Sequence, residues 1–199
     1  MYELESKIEL LKNFVAGKSV LIVGNSESIF GLGLGDKIDS FDVVVRMNLG
    51  RVKKPFQQGT RTDVLFTSVP KLSESDIVSW FDPKWVVWAT SKRDRVPEFR
   101  NINDRLIYHP MSYWEELYET QAPSRPSTGL IAINFFSNHC ACASVSYIGF
   151  DFFETDTFYH KKRFGLLRKK LKTPRPHDGD SEKKFISDLE YRGKLFRLS

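Results

Sequence analysis

Ser19-Val-Leu-Ile-Val-Gly-Asn-Ser26 and Pro126-Ser-Thr-Gly-Leu-Ile-Ala-Ile-Asn-Phe-Phe136 are the stretches that decide the fold. The first is a β-branched apolar run that breaks into a small polar turn, and Phe41-Asp-Val-Val-Val-Arg-Met-Asn48 has the same form. The second opens on hydroxyl side chains that can cap a helix and leads to another apolar run, Val145-Ser-Tyr-Ile-Gly-Phe-Asp151. Near-continuous apolar runs such as Val20-Leu-Ile-Val23 and Trp85-Val-Val-Trp88 lack the alternation of a half-exposed strand. They read as strands buried on both faces, in a largely parallel sheet covered by helices.

Working outward, the pattern predicts strands over 19–23, 42–46, 63–67, 84–89, 105–108 and 144–149. Helices are predicted over 3–16, 73–80, 112–119, 128–141 and 181–191. Gly17 stands where a helix C-cap belongs, and Asp178 and Asp180 suit the start of the last helix. The expected fold is α/β and Rossmann-like, in one domain over 1–199. A chain of 199 residues with 41% hydrophobic and 14% aromatic content can fill one sizeable core.

Nothing approaches the roughly 18 to 20 apolar residues of a membrane span, and Met1-Tyr-Glu-Leu-Glu-Ser-Lys7 is too acidic for a signal peptide. Cys140 and Cys142 are the only cysteines. A bridge between residues two apart would be strained, so free thiols are expected. With His139 they make a poor metal cluster, because a structural zinc site wants four ligands. The net charge of +5 is concentrated in the acid-free run from Lys161 to Arg175. That run reads either as a solvated face or as a surface for an anionic or membrane-bound partner. Nucleic acid ranks last as a partner, since little aromatic interleaving accompanies the charge.

Several residues can do chemistry. Residues just beyond the carboxyl ends of parallel strands meet ligands first. There, Asn25 and Asn48 offer amide donors and acceptors for a ribose or phosphate, with Ser26 beside them. One such Asn is ordinarily a turn residue; two in matching contexts point to a ligand. Ser127 or Thr128 can cap the following helix, and Gly129 lets an anion approach its N-terminus. Gly31-Leu-Gly-Leu-Gly35 is not a dinucleotide fingerprint, for it neither follows the strand directly nor has the right gap. It reads as a flexible turn or a close backbone approach. His177 follows Pro174-Arg175-Pro176, which cannot be helical, and an imidazole can accept a proton at neutral pH. Asp178-Gly-Asp180 spells a DxD, but its position suits helix capping better than metal binding.

The order Gly24-Asn25-Ser26, Arg46-Met47-Asn48, Pro126-Ser127-Thr128-Gly129, Gly149-Phe150, and His177 with Glu182 five positions on resembles the sialyltransferases of glycosyltransferase family 29. These carry large, small, third and very small motifs in that order. The resemblance spans about 19 to 190, and it extends distantly to the bacterial sialyltransferases of family 42. It implies a GT-A-like variant of the expected fold and an inverting, metal-independent transferase that moves sialic acid from CMP-sialic acid to a glycan hydroxyl, with no cofactor. It further implies that His177 is the general base, positioned by Glu182. Asn25, Ser26, Asn48, Ser127, Thr128, Gly129, Gly149 and Phe150 would hold the donor, and Tyr159 and His160 would meet the departing phosphate. Family members of secretory compartments join the large and small motifs by a disulfide. The large-motif segment here has no cysteine, so a cytoplasmic location is expected, with the molecule peripheral at a membrane surface if the basic run binds there. The alternatives are transfer of another CMP-linked ulosonic acid such as Kdo, a non-catalytic nucleotide- or glycan-binding module, and a hydrolase of CMP-sugars.

Overall fold

The computed structural model describes residues 2–153, 157–158 and 177–199, with side chains from Lys7 onward. The strands are β1 (Ser19–Val23), β2 (Val43–Met47), β3 (Val64–Thr67), β4 (Trp85–Trp88), β5 (Leu106–Tyr108), β6 (Ser144–Ile148) and β7 (Phe196–Arg197). The helices are α1 (Tyr2–Val15), α2 (Gly35–Asp39), α3 (Pro55–Gln58), α4 (Glu74–Trp80), α5 (Met111–Gln121), α6 (Thr128–His139) and α7 (Gly179–Tyr191). The strands form one sheet in the order β5-β4-β3-β2-β1-β6-β7, and every adjacent pair is parallel. The α/β reading therefore holds. The short elements α2, α3 and β7 were not expected. Helix α6 stops two residues before its expected end, because Cys140 adopts an extended backbone at φ −123° and ψ 149°. Cys140 and Cys142, both free thiols, thus lie in the turn entering β6.

Alternate strand residues go to opposite faces. One face carries Val20, Ile22, Val43, Val45, Met47, Val64, Phe66, Val145 and Tyr147, packed against α1, α5, α6 and α7 through Leu11, Leu117, Phe135, Phe136, Ile186 and Leu189. The other face is divided. Leu21, Val23, Val44 and Ile148 pack with Ile29 and Ile38, whereas Leu65, Val86 and Trp88 pack with Leu72, Ile77 and Phe81 around α4. That helix starts on a capping box, Ser73 accepting from the Asp76 amide while the Asp76 carboxylate accepts in return.

Arg46 points into this second face and is 1% exposed. Its guanidinium donates to the carbonyls of Arg61 at 2.9 Å and Gln58 at 2.7 Å. Burial lowers its pKa to about 10, partly opposed by Asp39, so it stays charged at neutral pH. Asp39 in turn accepts from the Thr60 and Arg61 amides. A charge in the central strand thereby fixes the loop between β2 and β3, since an unpaired one there would be strongly unfavourable.

The order reverses at β1, which pairs with β2 on one side and β6 on the other. Helix α6 feeds into β6, so its N-terminus lies at the carboxyl edge of the sheet. This reversal is the switch point where open parallel sheets take ligands.

Candidate active site

Two backbones meet at the switch point. The Gly24 amide donates to the Ile148 carbonyl at 2.7 Å, and the Ser26 amide to that of Gly149 at 3.0 Å. A side chain at Gly24 would strike Gly149 and the Phe150 ring, and Gly149 has φ +73°. Both glycines are therefore required by close approach and, at 149, by left-handed backbone. Phe150 packs edge-on to Tyr147, with ring centroids 5.7 Å apart, and closes over Gly129, where any Cβ would meet its ring.

The two asparagines hold the crevice walls. Asn25, 9% exposed, donates through Nδ2 to the Met47 carbonyl at 3.0 Å, tying the end of β1 to the end of β2. Asn48 has φ 53°, and its Oδ1 accepts from the Ser68 amide at 3.0 Å. Both thus have the structural work of turn residues, with the Nδ2 donors of Asn48 remaining at the mouth. Ser26 caps the short 3-10 turn Glu27–Ile29, its Oγ accepting from the Ser28 amide at 3.0 Å.

On the opposite wall stands the start of α6. Ser127 Oγ accepts from the Leu130 amide at 3.1 Å and donates to Glu182 Oε2 at 2.8 Å, while the Ser127 amide donates to Glu182 Oε1 at 2.8 Å. Its hydroxyl is thus turned into the fold rather than into the crevice. What it presents to a ligand is the helix end itself, whose first N–H groups have no intrahelical acceptor. Thr128 Oγ1 lies 3.0 Å from Ser68 Oγ, which brings the hydroxyl after β3 beside the helix start. Sequence reasoning did not single out Ser68, because an isolated serine after a strand carries no signal.

Glu182 is 4% exposed. Burial is the dominant cause that pushes its carboxyl up to about 7, opposed by the two Ser127 bonds. Its described contacts run to the α6 cap rather than to the His177 ring. It joins α7, which starts just after His177, to the α6 cap. Asp178 caps α7: Oδ1 accepts from the Asp180 amide at 3.1 Å, and Oδ2 from Ser181 Oγ at 2.8 Å. These bonds hold its carboxyl below the usual range. The DxD is accordingly a helix start, as its position suggested.

His177 stacks on Phe153, with centroids 5.6 Å apart and planes at 14°. Its Nδ1 is 2.7 Å from the Arg125 carbonyl. A carbonyl only accepts, so Nδ1 is the donor, and in the neutral ring Nε2 carries the lone pair. Arg125 lies two residues before the α6 cap, which puts the ring at the same wall. The other described histidines are packing residues. His109 is 3% exposed between Tyr113 and Phe135 and is pushed down to about 4 by burial. His139 stacks on Tyr113 at 3.7 Å and meets Glu116 at 3.2 Å, at the far end of α6. Gly31 and Gly33 both donate to Gln57 Oε1, at 3.0 and 2.7 Å, so the glycine run is a turn packed on α3. Tyr159, His160 and the basic run 161–175 lie outside the described residues.

Fold and site together define a switch-point α/β protein with a helix N-terminus at the crevice and a histidine oriented beside it. A profile of glycosyltransferase family 29 (sialyltransferase) matches residues 16–84 and 71–194, and the chain belongs to that family. It is 32% identical to the CMP-N-acetylneuraminate-beta-galactosamide-alpha-2,3-sialyltransferase 1 of Gallus gallus over 81% of this chain and 52% of the relative. With the type 2 lactosamine alpha-2,3-sialyltransferase of Homo sapiens it shares 24%, over 92% and 65%. The chain thus spans between about half and two thirds of the length of these relatives. The fold matches a mammalian sialyltransferase crystallised with Gal-beta-1-3GalNAc-ortho-nitrophenol at a TM-score of 0.62, with 20% identity over 95% of this chain and 72% of that one. It also matches the Campylobacter jejuni sialyltransferase CstII, solved with cytidine-5'-monophosphate, at 0.60, with 18% identity over 92% and 80%. No helix among the described residues is long and apolar enough to cross a membrane.

Proposed function

We propose that the chain is a catalytic sialyltransferase unit that moves sialic acid from CMP-sialic acid to a glycan hydroxyl, with inversion and without a metal ion. The observation that carries this reading is the His177 ring, protonated at Nδ1 by its bond to the Arg125 carbonyl and placed beside the α6 N-terminus. Nε2 accepts the proton of the acceptor hydroxyl. The hydroxyl oxygen then bonds to the anomeric carbon as the bond from that carbon to the phosphate oxygen breaks, and CMP leaves with the electron pair. One displacement gives inversion. Its developing phosphate charge is met by the first N–H groups of α6, with Asn25, Ser26, Asn48, Thr128, Gly129, Gly149 and Phe150 shaping the donor site and Ser127 fixing its helix. Tyr159 and His160 are assigned to the same phosphate from the motif order alone.

Metal independence is supported by Asp178, whose carboxylate is engaged as a cap. CMP release should therefore survive saturating EDTA, and a loss restored by manganese would turn Asp178 and Asp180 into ligands. The free thiols support a reducing, cytoplasmic compartment. The deciding experiment incubates the chain with CMP-sialic acid and CMP-Kdo separately, with and without glycan acceptors, and follows CMP. Acceptor-dependent release from CMP-sialic acid supports the proposal. Release from CMP-Kdo alone, or release indifferent to acceptor, overturns it in favour of a Kdo transferase or a hydrolase.

A further inference from the structure

Two connections that leave the carboxyl ends of β1 and β2 meet in a knob beside the crevice. Gln57 Oε1 binds both Gly31 and Gly33 amides, and any side chain at Gly35 would strike the Pro55 carbonyl. The loop 31–35 and helix α3 are therefore one packed unit. On its outside, Leu32 is 50% exposed and Phe56 72% exposed. The Phe56 ring lies against the loop that carries Leu32, since a Cβ at Gly33 would lie 3.2 Å from it. Folding has left a large aromatic and a leucine of one packed unit in water, although both could have been polar at no loss to the core.

The charge around them is mostly positive. From residue 43 to residue 62 the chain carries Arg46, Arg51, Lys53, Lys54 and Arg61 and no acid. Arg46 is buried, and Arg61 is spent on the Asp39, Phe41 and Asp42 carbonyls and on Asp63. Arg51 lies over the Trp80 ring at 4.9 Å, so Lys53 and Lys54, both exposed, are the cations that flank Pro55 and Phe56. Asp36 is an exposed acid on the same unit, followed directly by Lys37. Lys54 lies over the Phe30 ring at 5.0 Å, and Lys53 donates to the Phe158 carbonyl at 2.8 Å. The Phe158 amide donates to the Asn25 carbonyl at 3.0 Å, so the cationic rim reaches the crevice.

We propose that this knob is a membrane-contact surface: Phe56 and Leu32 insert among the lipids of an anionic bilayer while Lys53 and Lys54 meet its headgroups. Apolar side chains ringed by cations are the pattern of interfacial binding, in which the two contributions add. The same cations oppose a second copy laid knob to knob. Seated this way, the crevice mouth lies at the bilayer surface, within reach of a lipid-linked acceptor. That last consequence rests on the proposed activity, whereas vesicle binding does not.

The test is co-sedimentation of the chain with vesicles of phosphatidylserine in phosphatidylcholine, and with phosphatidylcholine alone, at low and high salt. Binding is expected to the anionic vesicles only and to fall with salt. Lys53→Gln and Lys54→Gln should each weaken it about fivefold, and Phe56→Ser with Leu32→Ser by roughly tenfold or more. CMP affinity and the thermal midpoint should be unchanged in all four. Absence of binding, or binding indifferent to these substitutions, overturns the proposal, the latter moving the contact to another basic surface such as the run 161–175. A concentration-dependent dimer that Phe56→Ser abolishes also overturns it, by giving the knob to a second copy.

Discussion

Glu182 is the residue at which stability and site geometry meet. Its carboxyl titrates near 7 in the fold because burial disfavours the anion, whereas unfolded it titrates at an ordinary value of about 4.3. A raised folded pKa means that the folded state holds the proton more tightly. The associated stability is fully present below the unfolded value and is lost as pH rises through about 7. Glu182→Gln keeps an acceptor for the Ser127 amide, offers its hydroxyl an amide donor in place of the carboxylate acceptor and cannot titrate, so thermal midpoints measured from pH 5 to 8.5 should fall less steeply than in the wild type. An unchanged slope would assign the pH dependence to other groups. His177 and Glu182 were legible from their spacing, yet their partners were not. Arg125 and Ser127 are 52 and 55 positions away, and only the folded sheet brings them near. Arg46 escaped for the same reason, because the carbonyls that satisfy it belong to Gln58 and Arg61 in a later loop.

Among the elements, α6 bears most on the site, for its N-terminus carries the Ser127 cap and is the proposed cradle for the leaving phosphate. Ser127→Ala removes the cap, worth about 0.5–2 kcal/mol, and leaves Glu182 buried without that hydroxyl, a further loss of about 1–3 kcal/mol. Chemical denaturation should show the summed destabilisation, and calorimetry should show weaker CMP binding with turnover at saturating donor less affected. Wild-type stability in that variant would contradict the cap. The long apolar strands were readable within a residue or two because nothing but a doubly covered sheet accommodates Val-Val-Val or Trp-Val-Val-Trp. The elements missed are short: α2, α3 and the two-residue edge strand β7 contain too few residues to display a period. They are defined by tertiary contacts, such as the packing of Gly35 on Pro55.

For the molecule as a whole, one sheet runs from β1 to β7 and draws on residues 19 to 197. We expect a single unfolding transition reported alike by far-ultraviolet dichroism and tryptophan fluorescence; two separated transitions would divide the chain into more than one domain. The class of fold and the place of the crevice follow from strand order, and the chemistry assigned to that crevice depends on one imidazole. The most direct measurement is therefore the paired determination of CMP release and CMP affinity for the wild type and His177→Ala with CMP-sialic acid and a glycan acceptor. A positioned general base contributes about 10²- to 10⁴-fold to rate and makes no required contact with the nucleotide. Turnover should fall by that range while CMP affinity stays within roughly a factor of three, the size expected when no binding contact is lost. Wild-type turnover in His177→Ala, or a wild-type chain that binds CMP and never releases it from the donor, would contradict the account.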